Sequence, residues 1–96
     1  MPIRIEDGSG HWCEFRDEKW RFGDRIAILE AGSDVRALDL ILPFVTAWNL
    51  TDVSGDAVPF DGGAKSLMSV DDEVATWLIG AWFEARAKRV AIPKVS

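Results

Sequence analysis

Residues 69–89 read SVDDEVATWLIGAWFEARAKR, and this stretch decides the fold of the 96-residue chain. Apolar residues recur in it at the spacing i, i+3, i+4, i+7, which places them on one face of an α-helix. The residues of this face are Val74, Trp77, Leu78, Ala81, Trp82 and Ala85. Ser69 is the predicted N-cap, acidic residues follow it and basic residues end the stretch, in the order that the helix dipole favours. The sequence therefore predicts a long helix over about 70–89, with Pro93 stopping any continuation.

The apolar surface of this helix is wider than one small core needs. Ile79 and Phe83 lie beside the main face, and Phe83 lies about 120° around the helix from Trp77 at 100° per residue. Core packing is the ordinary use of each ring, but a single domain over 1–96 has difficulty burying both sides of the helix, and large exposed apolar patches mark partner sites. We expect at least one ring to serve self-assembly or client binding. The predicted partner-binding residues are Trp48, Trp77, Ile79, Trp82 and Phe83.

The N-terminal part of the chain predicts a β-hairpin over about 2–16. Apolar and charged residues alternate in 2–6 and, less strictly, in 11–16, and the intervening Asp7-Gly8-Ser9-Gly10 is typical of a turn. Asp24 is the predicted N-cap of a short helix over about 24–31, which Gly32 ends.

The segment that follows has two interpretations, because Pro43 lies within it. A helical stripe runs from Val35 to Val45, but an interior proline lacks the N–H donor and its ring clashes with the carbonyl four residues earlier. Either the helix bends at Pro43 and continues, or it stops near Leu42 and a strand begins. We favour a kinked helix over about 34–47, followed by a turn or small hairpin over 48–60. The predicted fold class is α+β, mostly α.

The composition limits the function. The net charge of −5 and the pI near 4.7 argue against non-specific nucleic-acid binding and against an acidic membrane surface. The longest uncharged run, Leu40 to Thr51, is too short to span a bilayer. The single cysteine, Cys13, excludes an internal disulfide, and the N-terminus lacks the apolar core of a signal peptide. We expect a cytosolic protein.

Catalytic and metal-binding patterns are not evident in the sequence. His11 and Cys13 are too few for a structural zinc site, and a Cys–His dyad would need a third orienting group. The acidic run 71–73 is explained by helix capping and the helix dipole, and the run 52–56 lacks the closing glutamate of a calcium loop. We therefore expect no catalytic residue, no metal site and no cofactor, and a protein that is not an enzyme.

A family resemblance is carried by residues 44–60, which read FVTAWNLTDVSGDAVPF. This run resembles a segment of the tail assembly chaperones of long-tailed bacteriophages and prophages, especially those of actinobacteria. In that family a short helix leads into a Trp, a polar turn of the type Trp-Asn-Leu-Thr-Asp-x-x-Gly, a Pro, and an acidic-capped final helix. The matching positions are Trp48, Asn49, Leu50, Thr51, Asp52, Gly55 and Pro59. Residues 12–17 and 22–25 are also similar to the N-terminal part of such proteins.

The resemblance implies a non-enzymatic protein that binds hydrophobic helical segments of the tape-measure protein and helps to recruit tail-tube subunits. It also implies a location in the cytoplasm of the bacterial host, absence from the finished virion, and a possible homo-oligomer. The final helix departs from the family pattern, since it is richer in Trp and ends in a basic run, 86–89. Two alternatives stay open: a structural virion protein, such as a small head–tail connector or tail-completion subunit, and an acidic adaptor that binds a host protein.

Overall fold

The structure, a computed structural model, describes residues 1–91 and has the predicted α+β class. Three strands and three helices follow one another along these residues: β1 (Ile3–Glu6), β2 (Trp12–Phe15), α1 (Phe22–Leu29), α2 (Asp34–Ile41), β3 (Val45–Trp48) and α3 (Asp72–Ala91). Short 3₁₀ turns, Leu42–Phe44 and Ala64–Leu67, precede β3 and α3. The predicted helix stop at Pro93 lies outside the described residues.

The predicted N-terminal hairpin is confirmed. β1 pairs antiparallel with β2, with Ile5 opposite Cys13, and β2 also pairs antiparallel with β3. The hairpin turn is organised by Asp7, whose carboxylate Oδ1 accepts the backbone N–H groups of Ser9 at 2.7 Å and His11 at 3.1 Å. The side chains of Ile5, Cys13 and Phe15 are almost fully buried, so one face of this small sheet contributes to the hydrophobic core.

The predicted kinked helix over 34–47 is wrong, and the alternative interpretation, a strand after Leu42, is the observed one. α2 ends at Ile41, and Pro43 lies in the 3₁₀ turn Leu42–Phe44, which leads directly into β3. Pro43 has no N–H for an α-helical bond to Asp39, but a short 3₁₀ turn does not need one there. The chain therefore leaves the helical conformation after Phe44, and Val45 pairs with Phe15. This pair lies next to a register shift between Glu14 and Phe15.

The predicted start of α2 at residue 34 is confirmed, whereas the other two predicted helix starts differ slightly from the structure. α3 begins at Asp72, and its first turn is capped by Asp71, whose carboxylate accepts the Glu73 N–H at 3.1 Å, rather than by Ser69. α1 begins at Phe22, so Asp24 is the third residue of the helix and not its N-cap. The Asp24 carboxylate reaches back to accept the Arg21 N–H at 2.9 Å. In both helices an acidic side chain still accepts a backbone N–H at the first turn, as the helix dipole favours.

The core lies between the sheet, α2 and α3. The buried face of α3 is the one predicted from the sequence, and it presents Leu78, Ala81, Trp82 and Ala85, each no more than 1% exposed. The rest of the core comes from the 3₁₀ turn and from β2, through Phe44 and Phe15.

Candidate partner-binding surface

The segment that carries the family resemblance is tied to its neighbours by hydrogen bonds. The Asn49 side chain accepts the Trp12 N–H at 2.8 Å and donates to the Gly10 carbonyl at 2.7 Å. Trp48 donates its indole N–H to the Val58 carbonyl at 2.7 Å, and its ring meets the edge of Phe60 at 6.3 Å between centroids. Asn49 therefore fixes the end of β3 to the loop of the N-terminal hairpin, and Trp48 closes the following turn.

The turn itself is organised by Asp52. Its carboxylate accepts the backbone N–H groups of Ser54 at 2.9 Å and Asp56 at 3.0 Å, and Gly55 supplies the positive φ of +90° that the turn requires. The small hairpin considered for this segment is reduced to an isolated bridge between Thr51 and Ala57.

Pro59 ends the turn, and its carbonyl accepts the Ser66 hydroxyl at 3.2 Å. The four motif residues Asn49, Asp52, Gly55 and Pro59 thus hold backbone in place. Their role in the structure is to stabilise the segment 48–60 and its contacts with the neighbouring segments.

Trp82 belongs to the core, so the structure corrects its place among the predicted partner-binding residues. It is 1% exposed, and its ring stacks on Trp20 at 4.9 Å with an interplanar angle of 20°. Phe44 and Phe83 meet it edge-on at 5.6 Å and 5.1 Å. Almost none of the Trp82 ring is therefore exposed, and its indole N–H is buried without an acceptor among the described residues.

Ile79 and Phe83 are brought together at the surface. Both are half-buried, and they line a cleft of about 290 Å³ between α3, the end of α1 and the start of α2. We call it the apolar cleft. Its apolar lining residues are Ile28, Leu29, Ala31, Ala37, Ile79 and Phe83. Leu29 is 57% exposed at its rim.

The two other predicted residues lie elsewhere. Trp77 is half-buried and lies about 120° around α3 from Phe83 by the helical rule, outside the lining of the apolar cleft. Trp48 is half-buried in the turn segment. The structure therefore gathers only Ile79 and Phe83 into one site, and it adds Leu29, Ile28 and Ala31. The apolar residues of α1 were visible in the sequence, but nothing there placed α1 beside α3.

The reactive side chains noted in the sequence are held in the hairpin. Cys13 is completely buried, and burial raises the pKa of its thiol to about 12, whereas a nucleophilic cysteine needs a lowered pKa. The Nδ1 atom of His11 lies 2.6 Å from the Oδ2 atom of Asp7. Partial desolvation tends to raise the pKa of Asp7, but hydrogen bonds from Ser9 and His11 outweigh it, so this pKa lies below its ordinary value.

Over residues 1–91 no group of three or more His, Cys, Asp or Glu side chains is arranged to hold a metal ion. Within the same range, none of the helices combines the length and the apolar character needed to cross a membrane.

Comparisons of the chain with protein-family models, with curated protein sequences and with solved structures find no match. The resemblance to tail assembly chaperones therefore rests on the residues that carry it.

Proposed function

We propose that this protein is a tail assembly chaperone of a long-tailed bacteriophage or prophage. In this proposal it acts in the cytoplasm of the bacterial host as a non-enzymatic binder of hydrophobic helical segments of the tape-measure protein, and it assists the assembly of the tail tube. The observation that supports the proposal best is the apolar cleft, in which Ile79 and Phe83 on the flank of α3 are not fully buried by the described residues.

The chemistry of the apolar cleft suits an apolar helix. Amphipathic helices dock into hydrophobic grooves through side chains spaced at i, i+3, i+4 and i+7. Leu29, exposed on the rim, and Phe83, half-buried in the wall, offer the apolar contacts such a row needs. Burying one leucine-sized side chain contributes about 1.5–3 kcal/mol, so several such contacts are needed to exceed the cost of association, and no covalent step is required.

The genome provides the first test. A tail assembly chaperone is expected to be encoded immediately upstream of a very long reading frame for an apolar, helix-rich tape-measure protein. A gene surrounded by unrelated metabolic genes would contradict the proposal.

Co-expression provides the biochemical test. A helical fragment of the tape-measure protein is expressed alone and with the full chain, and the soluble fraction of the fragment is measured. We expect the chain to keep the fragment soluble and Leu29→Lys to weaken binding about tenfold or more, because a charge replaces the exposed apolar rim of the cleft. The matched control is Val53→Lys, since Val53 is also exposed, at 76%, but lies in the turn segment. Equal effects of the two variants, or a fragment that aggregates whatever is added, would overturn the proposal.

The composition of purified particles separates this function from its main competitor. A chaperone is left behind when the tail is complete, whereas a head–tail connector or tail-completion subunit remains in the particle. Detection of this chain in purified virions by mass spectrometry would favour the structural role.

A further inference from the structure

The charge of this protein is distributed unevenly. Residues 30–84 contain ten carboxylates and only two basic side chains, whereas residues 85–96 contain four basic side chains and no acid. Within α3 this means that Asp72 and Arg89 lie about 26 Å apart at 1.5 Å per residue. An acidic protein with a net charge of −5 therefore has a basic region far from its acidic one.

The basic region contains a cleft of about 190 Å³ between α1 and the last turns of α3. We call it the basic cleft. It is lined by Trp20, Arg21, Phe22, Arg25, Trp82, Arg86 and Arg89. Phe22 is 71% exposed, and the Arg25 guanidinium lies 5.3 Å from the centre of its ring.

Most of the arginines in the basic cleft have no carboxylate partner. Asp24 pairs with Arg21 at 3.2 Å, whereas Arg25 and Arg86 form no ion pair within the described part of the chain. Arg89 uses its Nε to donate to the Asp17 carbonyl at 3.1 Å, and its guanidinium covers Trp20. The basic cleft is thus an exposed aromatic ring with a rim of largely uncompensated positive charge.

A second cleft has the opposite charge. It occupies about 270 Å³ between α2, the 3₁₀ turn Ala64–Leu67 and the first turns of α3, and we call it the acidic cleft. Val35 and Met68 supply exposed apolar surface there, 48% and 64% exposed, and Asp34 and Asp72 supply the charge, with no basic residue in the lining.

We propose that the occupant of the basic cleft is the acidic cleft of a second copy of this chain. Each cleft has an apolar centre and a charged border, and the two borders have opposite signs, which is the complementarity that orients partners at an interface. Phe22 and Arg25 of one copy would then meet Met68 and Asp72 of the next.

The contact joins two different surfaces of the chain, so it is heterologous. One copy uses its basic cleft and keeps its acidic cleft free, and a third copy can add there, giving a ring or an open chain of subunits. Leu29, Ile79 and Phe83 line neither the basic cleft nor the acidic cleft, and Phe22, Arg25, Met68 and Asp72 do not line the apolar cleft. The proposed function and the self-association can therefore be tested separately, and either can fail without the other.

Sedimentation velocity on the full chain tests the proposal, from about 10 µM to about 1 mM, where small interfaces associate. We expect species larger than the 10.7 kDa monomer to grow with concentration and to decline between about 50 mM and about 500 mM salt. Two double variants each disable one cleft, Phe22→Gln with Arg25→Gln and Met68→Gln with Asp72→Asn. Each is expected to weaken self-association at least tenfold. Arg36→Gln with Val53→Gln is the matched control, because both residues are exposed and line neither cleft.

Mixing the two variants provides the decisive measurement. Each retains one intact cleft, so an equimolar mixture is expected to form a heterodimer of twice the monomer mass and to stop there. A wild-type chain that stays monomeric at about 1 mM in low salt would overturn the proposal, and so would self-association that both variants leave intact. Variants that fail alone and also fail together would point to a symmetric contact, and would equally overturn it. Far-UV circular dichroism checks that each variant is folded.

Discussion

We expect Trp82→Phe to destabilise the protein less than Trp20→Phe or Trp48→Phe, although Trp82 is the most buried of the three rings. Trp20 and Trp48 each donate an indole hydrogen bond of 2.7 Å, to the carbonyls of Arg16 and Val58 respectively. The buried N–H of Trp82 has no acceptor among the described residues. The same substitution therefore removes a satisfied hydrogen bond at two positions and an unsatisfied donor at the third.

The magnitudes follow from these contacts. At Trp82, removing about 40 Å³ of ring costs about 1 kcal/mol in cavity energy together with a transfer term of similar size. Removing an unsatisfied buried N–H recovers about 1–3 kcal/mol, so the net change is within about 1 kcal/mol. At Trp48 less apolar surface is lost, but the Val58 carbonyl loses its donor, and the sum is a loss of about 1.5–3 kcal/mol.

Thermal unfolding followed by circular dichroism measures the difference in stability between the three Phe variants, and this method does not depend on tryptophan fluorescence. For a chain of this size 1 kcal/mol corresponds to about 4–8 °C in Tm. Trp82→Ala is the reference for complete loss of packing and is expected to cost about 3–5 kcal/mol. If Trp82→Phe proves the most destabilising of the three Phe variants, the unsatisfied N–H does not carry the cost that we assign to it.

Three further predictions concern single positions. Asn49→Ala removes both hydrogen bonds to the hairpin and should lower the unfolding free energy, measured with urea, by about 1–2 kcal/mol. Asn49→Asp keeps the acceptor for the Trp12 N–H, so its unfolding free energy should fall by less. Equal losses in the two variants would contradict this role of Asn49. Gly63 has φ +74° and ψ −179°, a backbone conformation that is open only to glycine, so Gly63→Ala should lower the unfolding free energy by about 1–3 kcal/mol. Gly80 lies inside α3 with open space around it, so Gly80→Ala should raise the unfolding free energy by about 0.5–1 kcal/mol. Changes of the same sign in both variants would refute this prediction. The pKa of Cys13 rises from 9.0 to about 12 in the fold, so the unfolded chain loses the thiol proton first and stability falls above pH 9 by about 1.4 kcal/mol per pH unit. Urea unfolding at pH 8 and about pH 10 should show this loss in the wild type but not in Cys13→Ala, and an equal loss in both would contradict the assignment.

The sequence was sufficient where a local pattern was long. The apolar face of α3 repeats over about three turns, from Val74 to Ala85, and the hairpin strands alternate on both sides of a glycine turn, so both were predicted correctly. Pro43 was the difficult position, because a kinked helix and a 3₁₀ turn before a strand both suit a proline locally. The decision is made by tertiary contacts, namely the pairing of Val45 with Phe15 and the burial of Phe44, which no local pattern contains.

The residues that line the apolar cleft were identified from the sequence only in part, for a similar reason. The width of the apolar stripe on α3 indicated more apolar surface than a small core needs, but it did not show which side is covered. Trp20, from the segment between β2 and α1, stacks on Trp82 and takes it into the core. Ile79 and Phe83 instead face the cleft formed with the end of α1 and the start of α2, and they remain partly exposed.

The motif residues and the residues that line the apolar cleft lie in different parts of the chain. Asn49, Asp52, Gly55 and Pro59 act through backbone hydrogen bonds and turn geometry, so another chain with the same motif would be expected to share this frame. The apolar cleft lies outside the motif, on α1 and α3. If the apolar cleft binds a client as we propose, substitutions at Leu29 or Phe83 should change binding without disturbing the turn that carries the resemblance. Two proteins alike in the motif and different in the cleft should then fold alike and differ in the apolar helices that they bind.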